Sequence, residues 1–169
     1  RTHVKLAILS NMASWPNPTP QEASFLLRIF QGKDGSSLIA QFFARTPHNG
    51  WFLRLKDTFL LPSLKHEDSN RSISLRYIRS VTKFFPTEVI DIGLRLASEK
   101  PSLELGYFFH GLCEELEHVE LATAISQKYA DLIEMIIGRG FVDWDLEIPI
   151  LCLRLSKINP ERALNLFFD

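Results

Sequence analysis

Three times in this chain a proline, followed within one turn by a glutamate, opens an apolar stretch. Pro20-Gln21-Glu22-Ala23 precedes SFLLRIF, Pro86-Thr87-Glu88-Val89 precedes IDIGLRL, and Pro160-Glu161-Arg162-Ala163 precedes LNLFF. A proline at the first position of a helix loses nothing by lacking its N–H, and a carboxylate in that turn faces the positive helix end. Successive starts are separated by about two helical hairpins. The chain is thereby constrained to a succession of packed helices. A sheet is disfavoured, because strict period-two alternation is absent and Leu and Phe recur at three and four.

The segments between these starts read the same way. Val4, Leu6, Ile8 and Leu9 mark a first helix that stops before Trp15-Pro16-Asn17-Pro18. Thr19 and Glu22 match a capping box for the second, with Phe25, Leu26, Ile29 and Phe30 as its apolar set. Ser36 or Ser37 starts a short helix after the Gly32-Lys33-Asp34-Gly35 turn. Trp51 to Leu61 follows, with Pro62 stopping or kinking it, and the polar run 65–72 (KHEDSNRS) reads as a loop. Behind that loop Ile73, Tyr77, Ile78, Val81, Phe84 and Phe85 form one stripe. Helices are then expected from Pro86 to Ala97, from Pro101, from about Leu121 to Ile137, and after an Asp143 or Asp145 cap. Asn159 caps the last one. Mostly short connectors predict antiparallel neighbours. The expected organisation is one helical-repeat domain over 1–169, with a less regular front (1–64), the polar loop, and more regular pairs over 73–169.

The pairs Ser72–Phe85 with Pro86–Ala97, and Asp145–Ile158 with Pro160–Phe168, carry a resemblance to HEAT-like α-solenoids. Each second helix opens on the proline signature, just after Lys83-Phe84-Phe85 or Ser156-Lys157-Ile158. The resemblance covers about residues 20–169. It implies an all-α fold, an irregular right-handed α-solenoid of stacked antiparallel helix pairs, about nine or ten helices in all. Stacks of this class hold protein partners or, less often, nucleic acid. They often form regions of large multidomain proteins, bacterial defence and signalling proteins with a nucleotide-dependent switch among them. The apolar ending LNLFFD, without a polar closing helix, and the lack of an initiator methionine are read as marks of a piece of a longer chain.

Chemistry-bearing groups are densest in His110-Gly-Leu-Cys113-Glu114-Glu115-Leu-Glu117-His118. His110, Cys113, Glu114 and Glu117 share one helical side at spacings zinc tolerates, but Cys113 adjoins the Phe109/Leu112/Leu116 stripe. A solvated acidic face is the preferred reading, with Glu114 and Glu117 as partner-binding candidates. There is no Gly-x-Ser-x-Gly elbow, no His-Glu-x-x-His and no Gly-Lys-Ser/Thr ending to the Gly32–Gly35 turn. No catalytic residue, metal ligand or cofactor is therefore assigned, and an enzyme is not expected.

Charge is segregated although the net is only -1. Arg45 to Lys100 holds 10 Lys/Arg against 6 Asp/Glu, whereas Pro101 to Ile150 holds 2 against 10. Arg76, Arg79 and Lys83 are expected on one side of one helix, opposite much of its apolar stripe. Trp15, Trp51 and Trp144 fall at turns and are expected to pin helix junctions, with Trp144 also a protein-binding candidate. The favoured function is a noncatalytic scaffold or sensor segment binding a protein or other domains of a longer chain. The alternative is a nucleic-acid module in which Arg54, Lys56, Arg71, Arg76, Arg79 and Lys83 converge; an all-α enzyme is the weakest. No apolar run approaches membrane-span length, so no membrane partner and a cytoplasmic setting are expected.

Overall fold

The computed structural model describes residues 2–142 and 147–168. All the regular structure among them is helical. The elements are α1 (Thr2–Ala13), α2 (Pro20–Phe30), α3 (Gly35–Ala44), α4 (Gly50–Leu55), a π-helical turn (Lys56–Leu60), α5 (Leu61–Ser63), α6 (Ser69–Ser80), α7 (Pro86–Leu96), α8 (Leu103–Glu117), α9 (Thr123–Gly138), α10 (Ile148–Ile158) and α11 (Pro160–Phe168). They fall into two compact units, residues 1–81 and 82–169.

In the front unit α3 packs on α1, α2 and α6. The expected caps hold at α2: Glu22 N–H donates to Thr19 Oγ1 at 3.3 Å, and Thr19 N–H donates to Glu22 Oε2 at 2.6 Å. The core is aromatic. Phe42 meets Trp51 edge-on with centroids 5.5 Å apart, Phe43 stacks on Phe59 at 5.6 Å, and Phe30 touches Phe42, Phe43 and Phe59. Such rings contribute large buried areas and prefer edge-on or offset contact. Trp15 stacks on Trp51 with centroids 6.5 Å apart, and the fully buried Trp51 donates its indole N–H to the Met12 carbonyl at 2.8 Å. Both tryptophans thus pin the junction between α1 and α4.

The front unit departs from the sequence expectation at Pro62 and in the polar run. Pro62 neither stops nor simply kinks its helix. Its ring excludes an ordinary α-turn at the carbonyl four residues back, and the backbone widens into the π turn before it, with Leu61 N–H reaching the Lys56 carbonyl. Only residues 65–68 of the polar run stay outside a helix. Asp68 Oδ1 accepts from Asn70 N–H at 2.8 Å and Arg71 N–H at 3.3 Å, so Ser69–Ser72 become the first turn of α6. Arg71 is buried and donates to the Leu64 carbonyl, while Ser63 and Ser74 share a buried hydroxyl contact of 2.6 Å.

The rear unit is built from largely aliphatic pairs, with Phe109 packed on Phe108 and Phe141: α7 with α8 and α9, α9 with α10, and α10 with α11. Val89, Ile90, Leu112, Leu132, Ile133, Ile136 and Leu155 are fully buried. At Gly93 a Cβ would lie 3.0 Å from Leu132 and 3.3 Å from Leu112, so α7 approaches its neighbours through the absence of a side chain. Pro86 and Pro160 stand at helix starts as expected, and Asn159 caps α11 by accepting from Arg162 N–H at 3.2 Å. Pro101 does not open α8. Ser102 caps it, accepting from Leu105 N–H at 3.3 Å, which moves the start two residues on. The expected Asp143 or Asp145 cap lies outside the described residues.

Candidate interaction surface of the rear unit

Helix α8 has two faces of different fate. Leu105, Phe108, Phe109, Leu112, Cys113 and Leu116 are buried. On the other side Leu103, Tyr107, His110 and Glu114 recur at the four-three-four spacing of one helical stripe, and all are exposed. Leu103 is 76% exposed and Tyr107 67%. Across from this stripe stands α10, where Ile150 is 51% exposed. Pro101, Leu103, Gly106, Tyr107, Phe141 and Ile150 supply most of the wall of an open groove of about 660 Å³, with His110 and Glu147 supplying polar lining. At Gly106 the absence of a side chain lets α8 lie close to the backbone of residue 141: a Cβ there would stand 2.9 Å from the Phe141 carbonyl oxygen.

His110 ties the polar end together. Its Nδ1 lies 2.9 Å from Glu147 Oε1 and its Nε2 lies 3.4 Å from Glu114 Oε1. Beyond His110 a smaller cavity of about 60 Å³ reaches Cys113 and Arg154. Burial pushes the Cys113 thiol up to about 11, which leaves it protonated and a poor nucleophile or metal ligand at neutral pH. Among the described residues no group of three or more His, Cys, Asp or Glu side chains is placed to hold a metal ion.

Arg154 is the cation behind this surface. Its side chain is 12% exposed, and one terminal N–H donates to Glu117 Oε2 at 2.7 Å. That hydrogen bond and the guanidinium charge hold the Glu117 carboxyl below the ordinary carboxylate range. A further opening of about 220 Å³ lies beside the pair, walled by Leu116, Val119, Leu121, Tyr129 and Ile158. Glu114 and Glu117 therefore have separate partners: Glu114 belongs to the His110 cluster, whereas Glu117 is bound to α10 through Arg154.

The basic residues do not share one helical face. Arg76 and Arg79 are on α6, but α6 ends at Ser80, so Lys83 falls in the following turn and outside the helix. The residue before a proline is disfavoured in helical geometry; Phe85 accordingly has φ -134° and ψ 54°, and residues 81–84 turn with Val81 and Thr82 buried. Lys83 Nζ instead lies 5.1 Å from the centroid of the exposed Phe84 ring. Two more of the cations are used within the front unit, Arg71 by burial and Arg54 by donating to the Pro18 carbonyl at 2.8 Å. Trp144 lies outside the described residues.

The exposed Leu103, Tyr107 and Ile150 are the part of the surface that sequence reasoning did not single out. A stripe of Leu and Tyr at helical spacing reads as core, and the contact of His110 with Glu147 joins residues on different helices. No described helix is long and apolar enough to cross a membrane. No family model, curated protein or solved structure matches the chain. What the molecule shows of kinship is therefore its architecture: an all-α chain whose neighbouring helices pack in repeat-like pairs.

Proposed function

We propose that this chain is a noncatalytic helical-repeat module of the HEAT-like kind that holds a protein partner through the groove between α8 and α10. One observation carries the reading. Leu103, Tyr107 and Ile150, all more than half exposed, flank one open groove instead of standing singly. Contiguous apolar exposure is costly for a soluble surface and marks interaction sites. Tyrosine is moreover enriched among the residues that dominate binding energy. The openness of the groove favours a macromolecular ligand over an enclosed small molecule. A buried, protonated Cys113 and a His110 already engaged by two carboxylates argue against a nucleophile or metal-assisted reaction there.

The test is site-directed photo-crosslinking in the cells that make the protein. A photoreactive aryl residue replacing Tyr107 is expected to trap a discrete protein, competed away by excess unlabelled chain but not by the Tyr107→Glu chain. The same probe at the exposed Lys65 is expected to trap nothing in common with it. Equal trapping from both positions would remove the reading.

A further inference from the structure

We propose that the segment received by the α8–α10 groove is a basic amphipathic helix, with apolar side chains seated between Leu103, Tyr107 and Ile150 and a lysine or arginine at the His110–Glu147 end. This inference rests on the protein-docking reading above and adds the chemistry of the partner.

Charge complementarity carries it. The described lining of the groove contains no lysine or arginine; its charged end is Glu147, with Glu114 one helical turn from His110 on the same stripe. The surrounding sequence is equally one-sided, with 2 basic against 10 acidic residues from Pro101 to Ile150. An acidic partner would place like charges together at the Glu147 end of the groove, which costs affinity and slows encounter. A cationic partner is steered toward it instead. It also meets acceptors already in place: Glu147 Oε1 lies 2.9 Å from His110 Nδ1, and Glu114 Oε1 lies 3.4 Å from Nε2. An incoming ammonium or guanidinium offers several donors to such carboxylate acceptors, Glu147 first among them.

The apolar part sets the partner's secondary structure. Leu103 and Tyr107 project from one helix at four-residue spacing, and Ile150 projects from another, so the walls of the groove are two helix surfaces. A third helix packs into such a trough by interdigitating its own three- and four-spaced side chains. An extended strand would need backbone donors and acceptors at an open sheet edge, and the described residues form no sheet.

The experiment uses the full chain and two fluorescein-labelled peptides of about five helical turns. One is a Leu/Lys amphipathic helix; the other has the same leucine pattern with glutamate in place of lysine. By fluorescence anisotropy at physiological salt the Leu/Lys peptide is expected to bind at least about tenfold more tightly. Tyr107→Glu should weaken it by about tenfold or more, and Glu147→Gln should shrink the Lys-over-Glu preference several-fold. Leu164→Glu, an exposed apolar site on α11, should change neither. Because Tyr107 and Leu164 are exposed, circular dichroism melts of both variants should match the parent.

Equal binding of the two peptides, each abolished by Tyr107→Glu, would overturn the basic-partner inference while leaving the groove as a docking site. A preference untouched by Glu147→Gln would overturn it as well. Binding indifferent to Tyr107→Glu, or no binding of either peptide, would overturn the inference and the docking reading together. Self-association of the chain that is abolished by Tyr107→Glu would assign the groove to a second copy and overturn the basic-helix occupant.

Discussion

The two units hold helices together by different means. In the front unit aromatic rings fill unequal gaps between short helices, and long polar side chains close the junctions: Trp51 to Met12, Arg54 to Pro18, Tyr77 to His48. In the rear unit the helices meet mainly through aliphatic side chains, with Phe109 edge-on to Phe108 and Phe141, and several bridging charges lie toward solvent, as in Lys128 with Asp91 and Arg162 with Asp131 and Glu134. The difference teaches where regularity comes from. Aliphatic side chains at constant spacing can be repeated pair after pair, whereas a ring cluster is fitted once. The rear unit also leaves an open groove between α8 and α10.

The largest expected effect separates the two cores. Trp51→Ala should cost about 3–5 kcal/mol, from lost burial and a cavity that rigid rings cannot close. Leu132→Met, which conserves volume in the aliphatic core, should cost less than about 1.5 kcal/mol. Urea unfolding followed by circular dichroism measures both, and comparable losses would erase the contrast.

Glycines give a second, smaller test. A Cβ on Gly35 would stand 1.8 Å from the Phe30 carbonyl oxygen, a backbone atom with nowhere to go. Gly35→Ala should therefore destabilise by about 3 kcal/mol. At Gly93 the obstacles are the ends of two leucine side chains, which can shift, and alanine regains about 1 kcal/mol of helix propensity. Gly93→Ala should lie within about 1 kcal/mol of the parent by the same measurement.

The smallest effect concerns the outer charges. The Glu117 carboxyl is held low by Arg154, so its contribution is present above the ordinary carboxylate range and lost as pH falls through its lowered folded value. Thermal melts should show the parent ahead of Glu117→Gln at pH 7 and the two converging in strong acid. A constant gap at all pH values would show that the Glu117 charge does not matter to stability.

Helix identity was legible from local signals. Thr19, Pro86 and Asn159 act through neighbours within one turn, and sequence spacing reads such contacts directly. Asp68 and Ser102 act the same way but were concealed, one inside a polar run and the other behind a proline that looked like the start itself. The end of α6 was harder, because its apolar stripe continues in the sequence past Ser80 while the backbone turns away. The candidate surface was least legible. Leu105 and Leu103 are the same residue type on one helix, and only the placement of α10 and its neighbours decides which is covered. His110 and Glu147 meet for the same non-local reason.

The π turn bears on how this chain counts. Leu55 and Leu60 are both fully buried although five residues apart, a separation that an α-helix would rotate well off a common face. The wider turn of Lys56–Leu60 absorbs the surplus, so the rod from Gly50 to Ser63 keeps its inward side across two phases that are out of step by about one residue. The segment behaves as a vernier: it stores one residue of length without moving the ends it joins, and the hydrophobic bearing of the chain is reset there before α6 begins.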